Sequence, residues 1–126
     1  MKGFVLPLAL LLGILAFSIW NSAAMTKDTD RWRNQLEEAD RLAQSEDWTA
    51  AGEALSGSYR DWSQRQTYLH VVSQHEAVDQ AEAMYLRCLA FARMEEASEF
   101  QAELSGLREQ LRLLAEMEQF SLRNIL

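Results

Sequence analysis

One stretch constrains this chain more than any other: the 24 residues from Gly3 to Thr26 carry no charged side chain. Within it, the 18 residues from Gly3 to Trp20 are interrupted by a single polar residue, Ser18. A helix rises about 1.5 Å per residue, so a run of this length spans most of a hydrocarbon core about 30 Å thick. We therefore predict a transmembrane anchor over residues 1–26, with membrane contact through residues 3–25.

A cleaved signal peptide is the alternative for the same stretch. Lys2 provides a short basic start, and Ser22, Ala23 and Ala24 are small residues of the kind that a signal peptidase prefers. The apolar run, however, is longer than the roughly 7–15 residues usual for a signal peptide, and Trp20 stands where an interfacial aromatic belongs. An uncleaved signal-anchor is therefore favoured.

The flanking charges bear on which side of the membrane the domain occupies. Lys2 precedes the span, whereas Lys27, Asp28, Asp30 and Arg31 follow it with mixed sign. Counting basic residues alone favours a cytoplasmic domain, but a short N-terminal flank before an acidic domain of about 100 residues is typical of a signal-anchor that exports most of the chain. We predict a single-pass protein of the cell membrane whose helical domain is extracytoplasmic.

Residues 27–126 are acidic, with 11 Lys or Arg against 19 Asp or Glu and hence a net charge of −8. Such a domain is repelled by phosphate backbones, so nucleic acid is excluded as a partner. Cys88 is the one cysteine, which rules out a disulfide within the chain. The domain must therefore be stabilised by packing.

Helical periodicity runs through the whole of residues 27–126. There is no proline after the span, and the β-branched residues are too few to build strands. Trp48, Leu55, Trp62 and Leu69 recur every seven residues, which is typical of an amphipathic helix. Apolar stripes predict four helical segments, over about 28–44, 47–72, 75–94 and 99–118.

Short connections between these segments predict how they pack. Ser73 to Glu76 and Ser98 to Gln101 both have the sequence of a capping box, in which a serine oxygen accepts a hydrogen bond from a backbone N–H at a helix start. Connections of a few residues force neighbouring helices to be antiparallel. The predicted fold is all-α: a transmembrane helix, then an antiparallel bundle of three to four helices arranged as two hairpins. A faint internal repeat, at an offset of 52 residues, aligns Trp48 with Phe100.

No catalytic constellation is visible in the sequence. The glycines after the span are isolated and cannot form a phosphate-binding loop. His70 and His75 are five residues apart, so on a helix they point about 140° away from each other and cannot hold one metal ion. Glu76 and Asp79 could join His75 around a metal, but a histidine in a cap or a core is the commoner case. We expect a protein without enzymatic activity, cofactor or metal.

Five short motifs occur in a distinctive order along the chain. They are D-W-x-x-A at Asp47 to Ala51, a second tryptophan at Trp62, the His75-Glu76 step, E-F-x-x-E-L at Glu99 to Leu104, and S-L-x-N-I-L over the last six residues. Together with the apolar span, they resemble a family of small bacterial membrane-anchored proteins known as domain of unknown function 4363. The resemblance implies an anchored helical domain without an assigned activity, found mainly in spore-forming and related Gram-positive bacteria. Its association with genes for other small membrane proteins implies an accessory subunit.

We expect a membrane-anchored, non-enzymatic helical protein that acts as an accessory or interaction module for a protein partner, most simply a membrane protein. The alternative is a tetratricopeptide-like adaptor for a peptide or ligand, although two hairpins are fewer than the three repeats that a solenoid usually needs. Asn124 is expected to cap the last helix, while Ile125 and Leu126 fold back between the second and fourth helices. The alternatives are that this tail docks to another protein or that it contacts the membrane. The residues expected to define the core or a binding groove are Trp48, Trp62, His75, Phe100, Asn124, Ile125 and Leu126.

Overall fold

The computed structural model of the chain describes the backbone of residues 2–67, 69 and 75–125, and side chains up to residue 117. This part of the chain contains four α-helices and no strand, which confirms the predicted all-α class. The helices are α1 (Lys2–Gln44), α2 (Trp48–Gln64), α3 (His75–Arg93) and α4 (Ala97–Ile125).

The first helix, α1, is 43 residues long and continuous, so the apolar span and the first segment of the bundle form one rod. Most of its apolar half is exposed, from Phe4 at 79% to Trp20 at 61% of the full residue surface. It is the one helix in the described part of the chain that is long and apolar enough to cross a membrane. The helix does not break at the predicted boundary after residue 26.

One face of α1 is covered by protein along a stripe that begins inside the apolar segment. Positions spaced alternately by three and four residues form this stripe, the spacing of a seam between packed helices. It begins with half-buried Leu15 and Ser18. It continues with buried Ser22, Met25, Thr29, Trp32, Leu36, Ala39 and Ala43.

The four helices pack as a closed antiparallel ring. α1 lies against α2 and α4, and α3 lies against α2 and α4. This is the predicted pair of hairpins, closed into a four-helix bundle by α1 and α4. A solenoid would instead stack one hairpin on the next and leave a concave face, so the ring does not favour the tetratricopeptide-like alternative. We call the end with the α1–α2 and α3–α4 connections the distal end, and the opposite end, beside the apolar half of α1, the proximal end.

The two distal connections have the same backbone structure. Glu46 and Glu95 each adopt a left-handed conformation, with φ of 62° and 54°. After each of them, a backbone N–H bonds back five residues, from Asp47 to Leu42 O and from Glu96 to Phe91 O. This is the Schellman arrangement that ends many helices. The repeat therefore has an offset of 49 residues, and the predicted offset of 52 is wrong because it matched aromatic residues rather than helix ends.

The start of α4 also differs from its predicted capping box. Ser98 lies inside the first turn of the helix, which begins at Ala97. The backbone N–H of Phe100 donates to the carbonyl of Glu96 at 2.8 Å, so the helical hydrogen bonds begin two residues earlier than the box implied. The matching start of α2 is capped by Asp47, whose Oδ1 accepts from the N–H of Ala50 at 3.2 Å. The other predicted box, at Ser73, lies outside the described residues.

Aromatic side chains fill the proximal half of the core. Trp62 of α2 stands 5.4 Å, centroid to centroid, from Tyr85 of α3, and both are fully buried. The hydroxyl groups of Ser58 and Tyr85 share a buried hydrogen bond of 2.9 Å. Burying one large aromatic side chain contributes about 4–6 kcal/mol before the loss of conformational entropy. This cluster therefore supplies much of the free energy that holds α2 against α3.

Candidate partner-binding groove

An open groove of about 490 Å³ lies between α2 and α3 at the distal end of the bundle. Its floor on α2 is formed by Gly52 and Ser56, which are four residues apart and so share one face of the helix. A Cβ placed on Gly52 would meet no heavy atom within 4 Å, which shows how much space these small residues leave. Leu89 and Arg93 of α3 form the opposite wall.

Trp48, the first residue of α2, closes the distal end of the groove. Its side chain is half-buried, and its ring meets the edge of buried Phe100 at 5.4 Å between centroids and an interplanar angle of 85°. One side of the indole thus rests on the core while another faces the groove. Partly exposed tryptophan at the edge of a cleft is the type of residue that dominates binding energy at protein interfaces.

The charges around the groove are mixed in sign. Glu53 and Glu95 line it together with Arg60 and Arg93. Two acidic and two basic side chains beside an indole and a leucine make a surface for an amphipathic protein segment rather than for a strongly charged ligand. The groove walls are two helices, the arrangement into which a further helix can pack.

A network of charged residues joins α1 to α2 near the proximal end. Arg31 donates to both carboxylate oxygens of Asp61, from Nε at 2.7 Å and from Nη2 at 3.1 Å. Arg31 also reaches Asp28 at 2.9 Å, and Asp28 accepts in turn from Arg65 at 2.9 Å. Gln35 adds a third hydrogen bond to Asp61, at 3.0 Å. The two helices are therefore fixed in register just above the apolar half of α1.

Hydrogen bonding from Arg31 holds the pKa of the Asp61 carboxyl below its ordinary value, and Gln35 acts in the same direction. The pKa of Arg31 is raised, chiefly by the same hydrogen bonds from its side chain to Asp61. Both groups are therefore charged at neutral pH. This network was not predicted, because the Asp28 and Arg31 spacing is visible in the sequence but Asp61 joins it only through the register of α2.

The family model described as a domain of unknown function, DUF4363, matches residues 19–125. The chain belongs to this family. The match takes in the bundle half of α1 and all of α2, α3 and α4. It confirms the resemblance drawn from the sequence motifs. No curated protein and no solved structure significantly matches the chain.

The motif residues of this DUF4363 chain divide between the core and the surface. Trp62 and Phe100 are fully buried, so they define the core. His75 is the exposed first residue of α3, away from the groove. Trp48 is the one among these four that lines the groove. The apolar pattern of the sequence did not single out Gly52, Ser56 and Arg60. Their spacing of four residues, which places them on one face of α2, is the signal that could have indicated the groove.

The predicted fold-back of the C-terminal tail is not observed. α4 continues as a regular helix through Asn124 to Ile125, so Asn124 does not cap it and Ile125 does not turn back between helices. The backbone hydrogen bonds of α4 outweigh any gain from a turn, since nothing in residues 118–125 breaks a helix. The side chains of Asn124 and Ile125, and the whole of Leu126, lie outside the described residues.

Within the described part of the chain, no group of three or more His, Cys, Asp or Glu side chains is close enough to hold a metal ion. Glu76 and Asp79, whose spacing from His75 would allow the three to share a metal ion, are exposed on α3. Cys88 is buried against the core, and burial raises the pKa of its thiol to about 12. The thiol is therefore protonated at neutral pH and is a packing residue.

Proposed function

We propose that this chain is a membrane-anchored, non-enzymatic helical module of the cell membrane that binds a protein partner through the groove between α2 and α3. A single pass is formed by the apolar half of α1, and the bundle lies on the extracytoplasmic side. The observation that carries the proposal is the continuity of α1, which joins a largely exposed apolar segment to the buried seam of the bundle without a break.

Continuity of α1 matters because it couples the bundle rigidly to the anchor. A flexible linker would let the groove take any orientation, whereas a helix keeps its direction over many turns. The ion network at Arg31 and Asp61 adds α2 to the same rigid unit. The groove is thereby held at a fixed height and orientation relative to the membrane.

The height of the groove supports a membrane protein as the partner. Asp61 of α2 contacts Arg31 of α1. Because the two helices are antiparallel, Gly52, nine residues before Asp61, is level with Asp40, nine residues after Arg31. Asp40 is twenty residues beyond Trp20, which corresponds to about 30 Å at 1.5 Å per residue. A partner that meets the groove must therefore present an amphipathic segment at that height, as the extramembrane part of a second membrane protein does.

Blocking the groove tests this proposal. Gly52→Gln fills the groove without a clash, because the added Cβ meets nothing within 4 Å. Full-length protein is purified in mild detergent from membranes of its own host, and the proteins that accompany it are quantified. We expect one membrane protein to accompany the wild type and to fall by at least about tenfold with Gly52→Gln, as for a lost interface anchor.

Gly57→Gln is the matched control, since it adds the same side chain to the same helix at a position that is equally open. Gly57 faces the cleft between α1 and α2. The partner should be retained with this variant. Equal retention by both variants, or the absence of any accompanying membrane protein from the wild type, would refute the groove as the binding site.

A further inference from the structure

We infer that the last turns of α4 enter the membrane beside α1, so that the chain contacts the lipid bilayer through two helices rather than one. The inference rests on the proposed anchoring by α1 but is independent of the groove and its partner. The occupant of this surface is lipid, at the boundary between the headgroups and the hydrocarbon core.

The register of α1 and α4 shows how far α4 reaches. At the distal end, Gln44 and Gln101 line one cleft. Further along, Arg33 is close enough to Glu109 to help lower the pKa of that carboxyl, after the larger effect of Arg112. Sixteen residues beyond Glu109 is Ile125, and sixteen residues back from Arg33 is Phe17. Counted from Gln101 and Gln44 instead, 24 residues reach Ile125 and Trp20. Antiparallel helices with equal rise therefore place the end of α4 between the levels of Phe17 and Trp20.

The other helices stop before this level. Gln110 donates to the carbonyl of Ala77 at 3.0 Å, so α3, which begins at His75, is opposite the middle of α4. Arg65, the residue that caps the end of α2, donates to Asp28 at 2.9 Å, and the N–H of Leu69 donates to the carbonyl of Arg65 one turn further on. Leu69, four residues further, is thus about level with Ala24 of α1. Among the described helices, α4 alone continues beside the apolar half of α1.

The depth follows from the apolar segment. If the hydrocarbon core is about 30 Å thick, it holds about twenty residues of α1, so its upper boundary lies close to residue 22. Phe17 is then about 8 Å and Trp20 about 3 Å inside that boundary, so the end of α4 lies between these two depths. Trp20, at 61% exposure, stands at the level where interfacial aromatics are enriched.

Burial on α1 at this level agrees with a neighbouring helix. Asn21 and Ser22 are only 5% and 8% exposed, although Ile19 and Trp20 beside them are more than half exposed. Protein therefore covers one face of α1 here and leaves the other face to lipid. Polar side chains near a membrane are expected to face protein, and small residues such as Ser18 and Ser22 allow two helices to approach closely.

The sequence of α4 changes at the same point. Residues 107–119 contain five charged side chains, whereas residues 120–126, FSLRNIL, contain one. A single arginine is tolerated a short distance inside the boundary, since long basic side chains can extend to the headgroups. The composition of the last turns is therefore that of a segment at a membrane surface rather than of an exposed helix end.

Quenching by lipid-borne nitroxide tests the inference. The full chain, with Cys88→Ala, carries one fluorophore on a new cysteine at Ile125, Leu122, Phe17 or Ser105, and is reconstituted in phosphatidylcholine and phosphatidylglycerol vesicles. Nitroxide at the upper acyl chain should quench the labels at Ile125 and Phe17 to within about twofold of each other, because they lie within a few ångströms of the same depth. The label at Ser105, exposed on distal α4, should be quenched only by aqueous iodide.

Each outcome separates this inference from the proposed anchoring. If lipid nitroxide quenches the label at Phe17 but quenches neither the label at Ile125 nor the label at Leu122, the second membrane contact is overturned and the anchor remains. An absence of lipid quenching at Phe17 would overturn both. Two label positions on α4 guard against one substitution disturbing the helix end, and helical circular dichroism confirms that each variant is folded.

Discussion

The two ends of the bundle are built in different ways. At the proximal end, Trp32, Trp62 and Tyr85 are fully buried, and Arg31 and Asp61 join α1 to α2 through a pair of hydrogen bonds. At the distal end, the helices are separated by a groove with a floor of small residues, and Trp48 remains half-exposed. The end beside the apolar half of α1 is thus packed for stability, while the far end leaves apolar surface uncovered.

Under the proposed function, this difference is a division of labour within one small domain. Rigid packing at the proximal end keeps the bundle in one orientation relative to the apolar half of α1, because large buried side chains and short ion pairs allow few alternative arrangements. Surface left open at the distal end lowers the stability of the isolated domain but is available to another protein. The comparison can be tested by changing the same kind of residue at both ends.

The largest expected difference is between two tryptophans of α2. Trp62→Ala should lower the free energy of unfolding by about 3–5 kcal/mol, since it leaves a cavity among fully buried neighbours. Trp48→Ala should lower it by about 1–2 kcal/mol, since that side chain is only half-buried. Thermal unfolding of the full chain in mild detergent, followed by helical circular dichroism, measures both. Equal losses would show that the two ends are packed alike.

A smaller effect is expected from the proximal ion network. Asp61→Asn removes the charge that Arg31 contacts through two nitrogens, and should lower the free energy of unfolding at pH 7 by about 1 kcal/mol. The matched distal change, Glu53→Gln at the groove, should alter it by less than about 0.5 kcal/mol. A larger loss at Glu53 than at Asp61 would reverse the assignment of the stabilising end.

A comparison of wild type with Asp61→Asn also predicts a pH dependence of stability. Because the pKa of Asp61 is lowered in the folded state, its contribution is present above the ordinary aspartate pKa of about 3.9 and is lost as pH falls through the folded value. Wild type should therefore lose more stability than Asp61→Asn between pH 5 and pH 2. Parallel curves for the two proteins would show that the ion pair does not stabilise the fold.

The smallest expected effects come from two glycines within α2. Gly52→Ala and Gly57→Ala should each raise the free energy of unfolding by about 0.5–1 kcal/mol, because alanine favours a helix and neither added Cβ meets an atom within 4 Å. A stabilised Gly52→Ala that also binds its partner less well would indicate that the groove is kept open at the expense of stability. Destabilisation by either change would contradict the open geometry.

Local patterns were enough to predict the helices. The absence of proline and the seven-residue recurrence from Trp48 to Leu69 predicted an all-α chain, and the short connections predicted antiparallel neighbours. Helix ends were less accurate: α2 ends at Gln64 rather than near residue 72, because the chain turns at its cap Arg65, and α4 begins at Ala97 and continues to Ile125, beyond both predicted bounds. A helix end depends on which capping hydrogen bonds the connection makes, and the left-handed Glu95 is not a residue that marks such an end in a sequence.

Only the tertiary structure decided which of two similar tryptophans is partly exposed and which is fully buried. Trp48 and Trp62 share one helical stripe, yet Trp48 lines a groove and Trp62 lies in the core. The reason is that α3 covers the proximal part of α2 more closely than its distal end. Likewise, the apolar segment of α1 and the length of α4 are properties of the sequence, but their register is not. Periodicity specifies which face of a helix is buried, whereas only the packed bundle specifies what lies opposite it and how far along the axis the neighbour extends.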